Sequence, residues 1–280
     1  MLTQQTGPLV RSGRAGQTLL DGTSYLKIVL FMEITFILRR AAQALLPATL
    51  LLASCSKSDT PTPTPAVDTG KINVYHAAAN ASVNLKFLVD DAEKANLTYG
   101  QNAGYQTVNT GGRVIKVNVA STGSTANTQT VAVEKDKNYS LFAYASSPSA
   151  VTSLFVTDDL AIPAASAGKA RIRLVHLGLG VASPAKLSTV VAGVADIAGT
   201  DAQFAGYSSF VDIIPGQYNI AVTSGTPSVV IANVADGSGS GTGTNKTYEA
   251  GKIYTVILRG IVNPLLAADL QPKAVLIQNN

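Results

Sequence analysis

The chain has 280 residues, of which 46% are hydrophobic and only 14% charged, with 24 Gly, 12 Pro and a single Cys. That is too apolar for a disordered chain and too poor in charge for a typical helical cytoplasmic protein. The net charge of +4 is uneven. Residues 1–54 hold five basic and two acidic residues, whereas the remainder is nearly balanced, with sixteen basic and fifteen acidic. No Lys/Arg block follows residue 54, so a nucleic-acid partner is not expected. One Cys excludes an internal disulfide and thiolate metal clusters.

Residues 1–31 fit no part of a signal peptide and read as a spurious extension, because Met32 begins a normal-looking one. Residues 32–54 carry the basic pair Arg39-Arg40 and then an apolar run, Ala41 to Ala53, broken by Gln43 and Thr49. That run is too short to span a bilayer as a helix and ends in small residues, as a signal peptide does. Leu52-Ala53-Ser54-Cys55 resembles the bacterial lipobox. The resemblance implies cleavage before Cys55 and acylation of that residue. Several acyl chains give durable anchoring, since each buried CH₂ contributes about 0.8 kcal/mol. Residues 55–69 alternate Thr with Pro61, Pro63 and Pro65, a composition that favours an extended tether.

An internal repeat organises the rest. Lys71-Ile-Asn-Val-Tyr-His76 returns as Arg171-Ile-Arg-Leu-Val-His176, and Tyr99-Gly-Gln-Asn-Ala-Gly-Tyr105 as Phe204-Ala-Gly-Tyr-Ser-Ser-Phe210. Glu134…Tyr139-Ser pairs with Glu249…Tyr254-Thr, and the Gly/Ser-rich stretch 236–244 reads as a loop insertion in the second copy. Within each copy the hydrophobic period is two, as strands require. Ile72, Val74 and His76 share a face, as do Ile172, Leu174 and His176. Ile115 and Val117 alternate with Lys116 and Asn118, and Ile220 and Val222 with Asn219 and Ala221. Val74, Ile115, Val117, Leu174, Ile220 and Val222 are the expected core. The segment 184–195 is ambiguous between strand and helix. The pattern predicts an all-β protein of two tandem immunoglobulin-like or transthyretin-like sandwiches, residues 70–168 and 169–280, each strand with one apolar and one polar face and limited relative freedom about 164–169.

Val74-Tyr-His76-Ala, Tyr99-Gly…Tyr105, Ile214-Pro-Gly-Gln-Tyr218 and Gly251-Lys-Ile-Tyr254-Thr resemble motifs of the DUF4397 family of bacterial extracellular and lipoprotein β domains. The chain thus resembles a tandem DUF4397 lipoprotein of the Bacteroidetes type. The resemblance implies a fold and transfers no catalytic residue, because the motifs mark strands and turns.

Chemistry-bearing groups are sparse. His76 and His176, at matching positions, read as strand-end residues hydrogen-bonded to a turn, since no nearby His, Asp or Glu completes a metal site. Asp90-Asp91 and Asp158-Asp159 read as solvated turns in preference to Ca²⁺ ligands, because adjacent strand residues point to opposite faces. No nucleophile elbow or phosphate-binding loop is present. No catalytic residue, metal or cofactor is therefore expected. Tyr99, Tyr105, Tyr207 and Phe210, in matching Gly-containing connections, are the candidate surface-binding residues.

The resulting expectation is a non-catalytic outer-membrane lipoprotein, held to the membrane through lipidated Cys55, that serves adhesion or binds an extracellular polymer or protein, such as a polysaccharide or an envelope protein. The alternatives are a structural subunit of an envelope complex and an enzyme whose site is assembled from distant loops.

Overall fold

The computed structural model describes residues 67–190, 193–235 and 245–280. The signal peptide, Cys55, nearly all of the tether and the 236–244 insertion lie outside these residues. Among the described residues the protein is all-β, with two short 3-10 turns, Ala164–Ser166 and Ala268–Leu270, and no helix long and apolar enough to cross a membrane.

The first half contains β1 (Thr69–Ala77), β2 (Leu85–Val89), β3 (Ala92–Leu97), β4 (Asn102–Asn109), β5 (Gly111–Val119), β6 (Thr125–Val133), β7 (Asn138–Ala145) and β8 (Val151–Asp158). They form two four-stranded sheets, β4-β1-β7-β8 and β3-β2-β5-β6. Ile72, Val74, Leu85, Phe87, Ile115, Val117 and Leu141 fill the space between them, each at most 1% exposed, in a β-sandwich-like arrangement. The alternation that puts every second residue on one face explains why these positions meet. Asp90 and Asp91, both at positive φ, make the tight β2–β3 turn.

The second half contains β9 (Ala170–His176), β10 (Ala185–Thr189), β11 (Ala195–Asp196), β12 (Gly206–Tyr207), β13 (Val211–Ile213), β14 (Gly216–Tyr218), β15 (Ile220–Ser224), β16 (Val229–Ala235), β17 (Lys246–Tyr248), β18 (Ile253–Arg259) and β19 (Lys273–Gln278). The ambiguous 184–195 segment thus contains strand. Here β16 pairs in parallel with β19, joining what would be two sheets into one curled, nine-stranded half-barrel, with β14 and β17 in a small separate sheet. Its core includes Leu174, Leu187, Ile220, Val222 and Val256. All six residues expected to point inward are buried.

Equivalent contacts recur in both halves. β1 runs parallel to β7 with Ile72 opposite Tyr139, and β9 parallel to β18 with Ile172 opposite Tyr254. The Tyr139 hydroxyl accepts the Glu134 amide at 3.1 Å, and the Tyr254 hydroxyl the Glu249 amide at 3.1 Å.

One expectation is corrected. Strands β1, β7, β9 and β18 do not turn a polar face to water, because their outward faces are buried against the other half. Tyr75, Ala77, Phe142, Tyr144 and Val156 from the first half pack with Val175, Leu177 and Ile257 from the second in one apolar cluster, edged by Phe204. Phe204 meets Tyr144 edge-on, with ring centres 5.9 Å apart. A parallel-paired strand buried on both faces reads as a near-continuous apolar run, as residues 139–145 and 253–258 do.

Candidate functional site

The four candidate aromatics separate into two groups. Tyr207 is 46% exposed, on the edge strand β12. Tyr99, Tyr105 and Phe210 are partly buried, and all three take part in polar or cation–π contacts around the junction between the halves.

The centre of that junction is an ion pair that no local sequence pattern announces. Asp158, at the end of β8, and Arg173, in the middle of β9, are 3% and 1% exposed and bonded to each other. The reading of Asp158-Asp159 as a solvated turn fails at Asp158, because the second half covers it. Asp159 remains exposed. A ring of directed hydrogen bonds surrounds the pair. Arg173 Nε donates to Thr255 Oγ1 (3.0 Å), Thr255 Oγ1 to Asn279 Oδ1 (2.7 Å), Asn279 Nδ2 to the Tyr105 hydroxyl (3.3 Å), and Tyr105 to Asp158 Oδ2 (2.7 Å). Ser140 Oγ also donates to Asp158 Oδ2, at 2.6 Å. Each donor finds an acceptor, and the series ends on the carboxylate, which is how a buried charge is tolerated. Burial, followed by the neighbouring Asp158 charge, raises the Tyr105 pKa and keeps the phenol in its donating form. Phe210 lies beneath the Arg173 guanidinium at 4.4 Å.

Tyr99 occupies the other end of the junction. The Arg259 guanidinium lies 4.2 Å over its ring. Gly100, at φ +90°, permits this approach, since a Cβ there would stand 2.9 Å from Arg259 Nη2.

The histidines are structural in both halves. His76 Nδ1 accepts the Ala78 amide (3.3 Å) and Nε2 faces the Val83 carbonyl (3.0 Å). His176 Nδ1 accepts the Gly178 amide (3.3 Å) and Nε2 faces Ser183 Oγ (3.1 Å). Burial lowers both pKa values, that of His176 to about 4 from 6.5, and each ring is neutral at pH 7. The unfolded chain therefore takes up the proton first. The His176 contribution is complete above about pH 6.5, falls as pH drops toward 4, and levels off below that. His176 is expected to contribute on the order of 2–3 kcal/mol to this loss. Urea unfolding at pH 7 and pH 4 should show a correspondingly smaller pH-dependent loss in His176→Gln than in wild type, and equal losses would contradict the assignment.

Asp90 and Asp91 do lie in a solvent-facing turn, paired with Arg113 and Lys116. Among the described residues, no group of three or more His, Cys, Asp or Glu side chains is arranged to hold a metal ion. A polar hollow of about 310 Å³ on the second half is lined by Lys186, Val194, Asp196, Thr226, Pro227 and Ser228. Its acid is already engaged, with Lys186 and the Ser188 and Ser228 hydroxyls all on Asp196.

Residues 70–185 match a family model described as a domain of unknown function, DUF4397. The chain contains a DUF4397 domain. The match takes in the whole first half and continues through β9 to the first residue of β10, so the DUF4397 region includes Asp158 and Arg173. No curated protein matches the chain. Among solved structures, a candidate cell adhesion protein from Parabacteroides distasonis aligns over 78% of this chain and 100% of its own, at 10% identity and a TM-score of 0.21. At that TM-score the likeness carries no argument about fold or function.

Proposed function

We propose that this chain is a non-catalytic module of the bacterial cell envelope, anchored through a lipid on Cys55, that presents a β surface to an extracellular polymer or protein. In this reading its two halves are tandem copies of one immunoglobulin-like or transthyretin-like domain. The paired tyrosine and histidine hydrogen bonds described above support the duplication. The observation that carries the functional reading is the junction. Apolar packing and a closed polar ring hold the two halves as one compact body, preceded in sequence by a Pro/Thr stretch suited to a tether. A body preordered in this way loses little conformational freedom when it binds a partner through its surface. Tyr207, exposed on an edge strand, is the aromatic best placed for such contact.

The test combines anchoring with binding. Wild-type protein should incorporate labelled palmitate and remain with the membrane fraction, and Cys55→Ser should lose both. Immobilised Tyr207→Ala should retain cell-envelope polysaccharide about tenfold less well than wild type, with unchanged melting temperature. Unlabelled wild-type protein would refute the anchor, and undiminished retention by Tyr207→Ala would refute the role of that residue.

A further inference from the structure

In both halves, two strands pair in the same register at one end of the core: Val89 opposite Ile115 in the first, Thr189 opposite Ile220 in the second. The first half is closed there. β5 runs unbroken from Gly111 to Val119 beside β6, and Val89, Leu97, Val108 and Ile115 are buried. The second half is open. Its chain breaks the ladder at Asn219, between β14 and β15, and β14 pairs with β17 in a sheet of its own.

This divergence leaves a hollow of about 190 Å³ lined by Thr189, Ile197, Ile213, Ile214, Tyr218 and Ile220. Four isoleucines dominate it, and among the described residues no charged side chain lines it. Its two hydroxyl donors are already used: Tyr218 donates to the Ile214 carbonyl at 2.9 Å and Thr189 reaches the Ala195 carbonyl at 3.5 Å. Ile214, 74% exposed, forms the solvent-facing rim of the hollow.

We propose that this hollow binds a small, uncharged, apolar molecule, a single aromatic ring or a compact branched alkyl compound. Size and chemistry both set the class. A closed, dry cavity of about 150 Å³ takes up benzene; this hollow is larger, which leaves room for a ring carrying a small substituent, and it opens to solvent past Ile214. A sugar of similar size would leave its hydroxyls unpaired against isoleucine, and a carboxylate or ammonium would lose its hydration with no counter-charge. A long acyl chain exceeds the volume. The site goes beyond the surface role proposed above and is independent of Tyr207.

Toluene is a suitable probe, titrated into the full-length protein in detergent micelles and followed by backbone amide and isoleucine methyl NMR, with glucose as the polar ring of similar size. The expected result is a saturable toluene response, with Kd of about 0.1–1 mM, centred on Ile197, Ile213, Ile214 and Ile220, and no response to glucose. Thr189→Phe, which fills the hollow, should weaken the response at least tenfold. Ile214→Ala, at the exposed rim where the fold is not at risk, should weaken it severalfold. A response that does not saturate, an equal response to glucose, or toluene binding unchanged in both variants would overturn the proposal.

Discussion

Asp158→Ala is expected to destabilise the protein by about 3–5 kcal/mol, because it leaves the Arg173 guanidinium buried without a counter-charge. The loss is larger than that of an exposed pair such as Lys135 with Asp68, whose charges both stay in water and are screened there. Two features make Asp158 sensitive. Its carboxylate accepts three side-chain hydrogen bonds, from Arg173, Tyr105 and Ser140, and truncation leaves all three donors unpaired. The site is also closed to water, so no solvent molecule substitutes without rearrangement. Replacing both charges, as in Asp158→Leu with Arg173→Met, removes the desolvation cost along with the attraction, and should be milder than Asp158→Ala alone. Equilibrium urea unfolding of the two variants checks the order. A double variant less stable than the single one would indicate that the pair itself, not the orphaned charge, dominates.

Phe142→Ala is expected to cost about 3–5 kcal/mol, the range for emptying a buried aromatic site. Phe142 is 2% exposed and points out of its own sheet, into the apolar cluster shared with Val175, Leu177 and Ile257, with its ring 6.1 Å from that of Tyr75. If the halves were independent sandwiches, that outward position would face solvent and its truncation would be nearly neutral. Val114→Ala provides the contrast. Val114 also lies on a strand, but at 36% exposure on the outer sheet, where substitutions stay within about 0.5 kcal/mol. Thermal or urea unfolding of both variants tests the difference.

The strands and their inward faces were legible in the sequence because alternation of period two directly encodes which side chains meet a core. Val74, Ile115, Val117, Leu174, Ile220 and Val222 all follow it into the interior. The junction was less legible. Arg173 sits two residues from Arg171 in a strand, and a charged residue there ordinarily marks a wet face. Its partner lies fifteen residues away in an Asp-Asp pair that resembles any solvated turn. Tyr99, Tyr105 and Phe210 stood out as aromatics in glycine-containing connections, but that signal is the same whether the ring meets a foreign partner or the other half of its own chain. The parallel pairing of β16 with β19, which curls the second half, depends on contacts between segments forty residues apart and leaves no local pattern. The apolar hollow arises from a break in a strand at Asn219, where the sequence reads as one continuous alternation from Tyr218 to Val222.

The buried junction makes the two β halves one cooperative body. Differential scanning calorimetry of the purified protein tests it most directly. A single transition is expected, with calorimetric and van't Hoff enthalpies that agree, shifted as a whole by Phe142→Ala or Asp158→Ala. Two separate transitions, with either substitution moving only the first-half one, would contradict it.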